Sequence, residues 1–132
     1  MQKSQKGFTL IELVVVIVLL GILGVTALGK YQDLATEAQT AVNEGVASEL
    51  SSAAAINYAA SIVGSADVTV GSSFDCSTDA GGLFATGSAP TGFTLAGTPA
   101  CAAVGDSATC TVDGSGTPAG TQASATLICT ST

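Results

Sequence analysis

The most prominent hydrophobic pattern in the chain is one long apolar run near its N-terminus. Within residues 8–29 the only charged side chain is that of Glu12, and Lys3 and Lys6 stand just before the run. A helix rises about 1.5 Å per residue, so this run is long enough to cross the hydrocarbon core of a bilayer. Because lysines favour the cytoplasmic side, the pattern predicts a transmembrane helix with the short leader inside and the residues after Gly29 outside the cell.

An ordinary secretory signal peptide is the alternative for this run, with the two lysines as its basic region and small residues near 26–29 as its cleavage site. The apolar region of such a peptide has roughly 7 to 15 residues, which is shorter than the run seen here. A carboxylate at the centre of a membrane helix costs about 2.5 to 3.5 kcal/mol, and neither a signal peptide nor a plain anchor explains Glu12.

Beyond residue 29 the apolar residues recur with helical spacing. They are Tyr31, Leu34, Ala38, Val42, Val46, Leu50, Ala53, Ile56, Ala60 and Val63. Acidic residues lie mostly between them, which predicts that an amphipathic helix over residues 30–63 continues the first one. Gly64 is a natural stop for it. So long a helix on so small a protein must find partners beyond its own domain.

After Gly64 the composition changes to Gly, Ser, Thr, Ala and Asp. Short runs that favour strands lie at 67–70, 92–95, 108–112 and 123–129, with turn residues at 81–82, 90–92, 105–106 and 113–120. We expect residues 64–132 to form a small domain with an antiparallel sheet. The predicted fold class is α+β, a long N-terminal helix packed on a β-rich domain.

All four cysteines lie in this C-terminal part: Cys76, Cys101, Cys110 and Cys129. Without histidine and without Cys-x-x-Cys spacing they do not indicate a zinc site. Domains this small commonly need covalent links, and disulfides form in oxidising compartments. We therefore expect two disulfides and an exported domain.

Four cysteines allow three pairings, and the sequence favours one without excluding the others. If residues 105–106 form a two-residue hairpin turn, Cys101 lies directly opposite Cys110. That arrangement leaves Cys76 to pair with Cys129.

Charge and composition exclude several classes of function. Three lysines stand against ten acidic residues, for a formal net charge of −7, so a surface for nucleic acid would have few cations. The absence of histidine excludes Ser-His and Cys-His nucleophile pairs, and no glycine-rich phosphate loop follows a strand. The aspartates match no calcium loop. We expect no enzyme activity, no cofactor, no metal and no direct nucleic-acid binding.

One local motif is more specific than these general features. Residues 6–13 read Lys-Gly-Phe-Thr-Leu-Ile-Glu-Leu, which is a basic leader ending in glycine, then phenylalanine, then glutamate four residues later within an apolar run. This motif resembles the prepilin signature, and the chain is similar to the type IV pilins over about residues 6–34. Residues 21–27, followed by Lys30 and Tyr31, resemble the mannose-sensitive haemagglutinin branch of the type IVa pilins, with weaker similarity at 82–84 and 90–95.

The resemblance implies a role for each residue of the motif. Gly7 ends a leader, residues 1–7, that prepilin peptidase removes; Phe8 becomes the N-methylated mature N-terminus; and Glu12 is the assembly carboxylate. Cutting after Gly7 exposes a cationic amine one helical turn from Glu12, and a carboxylate in lipid is tolerable when it meets such a charge. Residues 8–29 are then both membrane anchor and polymerisation helix.

The resemblance also implies partners and a location. The precursor lies in the inner membrane, is handled by prepilin peptidase and the pilus assembly machinery, and polymerises with copies of itself into an extracellular filament. We expect a major pilin that serves adhesion, motility or surface contact. A minor pilin or a type II secretion pseudopilin is the alternative, since it would share this N-terminus. A surface-anchored binding module that never polymerises would leave the amphipathic helix without a purpose.

Three glycines weaken the first part of the helix. Gly21, Gly24 and Gly29 each cost roughly 1 kcal/mol relative to alanine in a helix interior, and Thr26 adds a β-branched residue. We expect this stretch to loosen once the subunit enters the filament. The alternative is that the glycines let neighbouring helices approach closely.

Overall fold

The computed structural model describes residues 7–132, so that of the expected leader only Gly7 is described, and Lys3 and Lys6 lie outside the described residues. The elements in chain order are α1 (Leu10–Ile62), a 3₁₀ helix (Ala80–Leu83), β1 (Phe93–Ala96), β2 (Ser107–Gly114) and β3 (Ala123–Ile128). The α+β fold class is confirmed. The chain divides into two compact units, Met1–Leu34 and Ala35–Thr132.

Helix α1 ends in a glycine cap. Gly64 has a φ of 75°, and its N–H donates to the carbonyl of Ser61 at 3.0 Å, while the N–H of Ser65 donates to the carbonyl of Ala60 at 2.9 Å. These two bonds form a Schellman motif, in which a positive φ favours glycine. The helix therefore stops where the sequence predicted a stop.

The three strands form one antiparallel sheet in the order β1-β2-β3. Leu95 of β1 lies opposite Val112 of β2, and Cys110 of β2 lies opposite Ala125 of β3. Buried and exposed side chains alternate along β2 and β3, because successive side chains of a strand point to opposite faces. One face of the sheet is therefore part of the core.

The core of the unit Ala35–Thr132 combines three parts of the chain. The sheet contributes its buried face, and the helix and the segment that follows it contribute Ala47, Leu50, Ala54, Val70, Phe74, Ala80 and Phe84. Large and small apolar side chains are mixed in this set, as dense packing requires. The segment between α1 and β1 is thus held by apolar packing although it has little regular structure.

The helix residues that are buried in this unit differ from the apolar residues that recur along the helix. Of the apolar residues predicted to recur along the helix, Leu50 alone is buried, whereas Ile56 is 72% and Val63 is 78% exposed. The buried helix residues are Asn43, Ala47, Leu50, Ala54 and Asn57. Two polar side chains, Asn43 and Asn57, thus lie on the face that packs in this unit, and the recurrence of apolar residues did not indicate them.

Asn43 and its neighbour Thr40 bind the loop that connects β2 to β3. The Asn43 side-chain amide donates to the carbonyl of Thr121 at 2.8 Å, and its oxygen accepts from the N–H of Gly114 at 3.0 Å. The Thr40 hydroxyl accepts from the N–H of Thr121 at 2.9 Å. A Cβ on Gly120 would lie 2.6 Å from the backbone nitrogen of Thr40, so only glycine fits this approach.

Asn57 binds the segment that follows the helix. Its amide donates to the carbonyl of Val68 at 2.7 Å, and its oxygen accepts from the N–H of Val68 at 3.1 Å. Both backbone groups of Val68 are therefore bound to a side chain. The strand predicted at 67–70 is wrong for this reason.

Ser51 completes a set of polar helix side chains that bind backbone groups of the same unit, since its hydroxyl accepts from the N–H of Thr126 at 2.9 Å. We call Thr40, Asn43, Ser51 and Asn57 the polar seam. Buried polar groups are generally hydrogen-bonded, and in the residues described here no buried side-chain nitrogen or oxygen lacks a partner.

Two disulfides are present, as expected, but the favoured pairing is wrong. Cys76 is linked to Cys110 and Cys101 to Cys129, with Cα atoms 5.8 Å and 5.7 Å apart. All four cysteines are buried in the core.

The pairing differs because residues 105–106 do not join two strands of a hairpin. The N–H of Gly105 donates to the carbonyl of Cys129, and the N–H of Cys129 donates to the carbonyl of Asp106, both at 2.8 Å. The segment that contains Cys101 therefore runs beside the end of β3. This arrangement leaves Cys110, in the central strand, to pair with Cys76.

Candidate functional site

The helix residues of the first unit present an apolar surface that nothing in the unit covers. Every large apolar side chain from Phe8 to Leu34 is exposed, from 39% at Val14 to 89% at Phe8. Among the described residues, α1 is the one helix long and apolar enough to cross a membrane, judged by length and composition. Soluble monomers rarely expose an apolar patch of this extent. The surface therefore needs lipid or other protein chains around it.

The start of this helix is capped by its own side chains. The carboxylate of Glu12 accepts from the N–H of Thr9 at 3.0 Å and from its hydroxyl at 2.9 Å, and the Thr9 hydroxyl accepts from the N–H of Glu12 at 3.3 Å. The carbonyl of Thr9 accepts the bond from the N–H of Leu13 at 3.3 Å. This is a capping box, with Thr9 as N-cap and Glu12 at the third helical position.

Sequence analysis missed this role of Glu12, although the signal was present as Thr-x-x-Glu before an apolar run. The capping box places Glu12 close to the helix start without involving an N-terminal amine. Pairing of Glu12 with the amine of a processed Phe8 stays a prediction, because the chain described here continues to Gly7.

Gly7 and Phe8 lie just outside the helix, where both are exposed. A Cβ built on Gly7 would contact no atom within 4 Å. A peptide bond in an exposed, non-helical segment is accessible to a protease, since loops and chain ends are the usual sites of cleavage. The geometry is therefore compatible with cleavage between Gly7 and Phe8, which stays a prediction.

The three glycines expected to loosen are all helical in the isolated subunit. A Cβ on Gly21, Gly24 or Gly29 would meet no atom within 4 Å. Between them, the Thr26 hydroxyl donates to the carbonyls of Ile22 at 3.2 Å and Leu23 at 3.1 Å. Such side-chain bonds to preceding carbonyls bend helices slightly. Loosening in a filament stays a prediction.

The C-terminal unit contains hydrogen-bonded polar side chains, but we assign no ligand site to its described residues. Within residues 7–132 no group of three or more His, Cys, Asp or Glu side chains could hold a metal ion. Asp75 accepts from the hydroxyl of Ser77 at 2.5 Å and from its N–H at 2.7 Å. These bonds, that of the hydroxyl first, hold the pKa of the Asp75 carboxyl below its usual value.

The family model described as the prokaryotic N-terminal methylation motif matches residues 2–28. A fimbrial protein of Pseudomonas aeruginosa is 44% identical over 66 residues, covering 48% of this chain and 43% of the relative. The N-terminal segment is similar to those of fimbrial proteins and type IV pilins. A type IV major alpha-pilin of Moraxella bovis is 57% identical over 37 residues, covering 28% of this chain and 23% of that pilin. A type IV major pilin protein of Neisseria gonorrhoeae is 56% identical over 39 residues, covering 30% of this chain and 24% of that pilin.

The chain thus spans less than half the length of the curated pilins it matches, and no solved structure matches it. These pilins are structural proteins rather than enzymes, which agrees with the expectation from composition. The resemblance to the mannose-sensitive haemagglutinin branch stays a prediction.

Proposed function

We propose that this chain is the major structural subunit of an extracellular type IV pilus. The observation that carries the proposal is the uncovered apolar helix surface from Phe8 to Leu34, which begins at a matched methylation motif. An anchor alone needs such a surface only in lipid. A polymer subunit needs it twice, first in the membrane and then against copies of itself.

The precursor is held in the inner membrane by residues 8–29, with its C-terminal unit outside. Prepilin peptidase hydrolyses the peptide bond between Gly7 and Phe8, and the new amine of Phe8 is N-methylated. The amine is cationic, and the carboxylate of Glu12 is its nearest acidic partner in the sequence. Pairing of these charges between or within subunits makes both tolerable in an apolar filament core.

The filament then serves adhesion, surface motility or another contact function. A minor pilin or a type II secretion pseudopilin would use the same N-terminal chemistry. Two disulfides and the haemagglutinin-like residues at 21–31 favour the major pilin.

Mass spectrometry of filaments sheared from cells tests the proposal. The expected subunit begins at methylated Phe8, lacks the first seven residues and dominates the preparation. A subunit beginning after Ala27 supports the signal-peptide alternative and contradicts the proposal. A correctly processed chain that is rare in abundant filaments identifies a minor component instead.

We also propose that residues 21–29 loosen in the filament. In lipid an unpaired peptide group is expensive, so the helix stays intact there, whereas packing among subunits offers other partners. Replacing Gly21, Gly24 and Gly29 by alanine stiffens the filament if this is right, measured as extension under force. Gly45→Ala is the matched control, since Gly45 is helical and open to a Cβ but lies outside the stretch. A filament map with continuous helical backbone from Leu20 to Leu34 contradicts the proposal.

A further inference from the structure

The C-terminal unit has an open groove of about 340 Å³ between α1 and the segment that follows it. Ala53, Ile56 and Ala60 line its helix side, and Leu83 and Phe84 line the opposite side. Ile56 is 72% exposed there, although it is a large apolar residue. The groove thus contains apolar surface that its own unit leaves uncovered.

Two carboxylates also line this groove. They belong to Glu49 and Asp67, and neither forms an ion pair with another described residue. A groove with apolar walls and two acidic side chains fits an apolar partner that carries a positive charge.

The same chain carries one segment with that chemistry. Lys30 is the only lysine or arginine among residues 7–132, where its ammonium group has no ion-pair partner. Leu34 lies four residues further along the same helix face, and both residues are outside the stretch 21–29 that we propose to loosen. Leu34 is 60% exposed. We call Lys30 and Leu34 the lysine face.

We propose that the groove of one subunit receives the lysine face of a second copy, with the Lys30 ammonium beside Glu49 and Asp67. This inference rests on the proposed polymerisation and deepens it, since it assigns a contact surface outside the apolar run itself. Leu34 covers exposed apolar surface of the groove. The Lys30 ammonium then lies beside two carboxylates when the apolar side chains around it are buried away from water.

A second acidic groove on the helix fits less well. Glu44 lies in a groove with Ser48, Ser51 and Gln122, whose polar side chains offer little apolar contact to Leu34. Glu44 and Glu49 carry the same charge. They differ in the apolar surface of the grooves that they line. This difference makes Glu44 a matched control for Glu49.

Carbodiimide coupling of wild-type sheared filaments tests the contact without any substitution. The reagent joins amines to carboxylates, and Lys30 is the only lysine expected in the processed subunit. We expect covalent dimers in which peptide mapping finds Lys30 joined to Glu49 or Asp67. Dimers joined through Lys30 to Glu44 or to other acids, or filaments without Lys30 dimers, overturn the proposal.

Charge reversal provides an independent test. We expect Lys30→Glu to lower the filament yield at least about tenfold, because three carboxylates would then meet. Adding Glu49→Lys restores filaments, whereas adding Glu44→Lys does not. Equal rescue by both lysines, or rescue by neither, overturns the contact. If wild-type cells make no filament of this chain, the proposed function itself fails, which distinguishes the two failures.

Discussion

The two units differ in whether their large apolar side chains are exposed or buried. The unit Met1–Leu34 leaves its large apolar side chains exposed, whereas the unit Ala35–Thr132 buries Leu50, Phe74 and other apolar residues in a core of its own. Residues 7–34 of the first unit are stabilised by helix bonds, by a capping box and by bonds of the Thr26 hydroxyl. The second adds a sheet, two disulfides and the polar seam. For the proposed pilus subunit, this division leaves the apolar helix available for assembly.

The two parts of the one long helix have different requirements. An apolar helix needs surroundings that it does not itself provide, and a helix with a single buried face needs only its own domain. Substitutions in the first unit should therefore affect assembly, and substitutions in the second should affect stability.

The largest effect is expected for Glu12→Gln. Glutamine preserves the capping box with Thr9 but removes the charge, so membrane insertion continues while assembly fails. An amine left unpaired in apolar surroundings costs about 2.5 to 3.5 kcal/mol. At 1.36 kcal/mol per factor of ten, assembly falls on the order of a hundredfold, measured as sheared filament yield.

Thr9→Ala is the matched control for that variant, because it removes the cap and keeps the charge. It should cost about 1 kcal/mol at the helix start and leave most filaments intact. Normal filaments from Glu12→Gln alone would show that capping, rather than charge, is what Glu12 contributes.

The next largest effect is expected in the second unit, on removal of a disulfide. Cys101→Ser combined with Cys129→Ser should lower the free energy of unfolding by about 2 to 5 kcal/mol, measured by thermal unfolding of the full chain in detergent. The remaining cysteines stay linked, so thiol labelling finds none free. Cys101→Ser combined with Cys110→Ser, in contrast, breaks both links and exposes two thiols. The reverse labelling pattern would contradict the observed pairing.

A smaller loss of stability is expected for Asn43→Ala. It leaves the N–H of Gly114 and the carbonyl of Thr121 without their partner, and an unsatisfied buried group costs about 1 to 3 kcal/mol. The exposed neighbour provides the control, since Glu44→Ala should change stability by less than about 0.5 kcal/mol. Equal unfolding temperatures for the two variants would show that the bonds of Asn43 do not stabilise this unit.

The smallest effect concerns the titration of Asp75. Its pKa is lowered in the folded chain by the bonds from Ser77, so its contribution to stability is present above its ordinary value of 3.8 and is lost as the pH falls through the folded pKa. Ser77→Ala should raise the pKa of Asp75 toward that value in an NMR titration. Ser88→Ala should leave it unchanged, and an unshifted titration in Ser77→Ala would show that another group sets it.

The sequence predicted those parts of the fold whose signals are local. The long helix, its stop at Gly64 and the strands near 92–95, 108–112 and 123–129 follow from runs of apolar or β-branched residues and from glycine. The strand at 67–70 failed because Asn57, eleven residues from Val68, takes the backbone groups that a strand would use. No local pattern indicates such a bond.

The disulfide pairing failed for a related reason. The positions of Cys101 and Cys110 around a turn suggested a hairpin, but the segment of Cys101 bonds to the chain beyond β3 instead. Within the candidate site, the motif from Gly7 to Glu12 was predictable because it is contiguous. The groove was not, because Glu49 and Asp67 come together only in the folded unit.

The polar seam has a mechanical consequence. Apolar side chains could slide past one another by a helical turn and exchange one contact for a similar one. Thr40, Asn43, Ser51 and Asn57 instead bond to particular backbone groups, so any displacement of the helix along its axis breaks these directional bonds together. Tension that reaches this part of the helix is shared among several bonds. These bonds are loaded in parallel and do not break one at a time. Slippage of the helix through its own domain is therefore resisted by geometry as well as by burial.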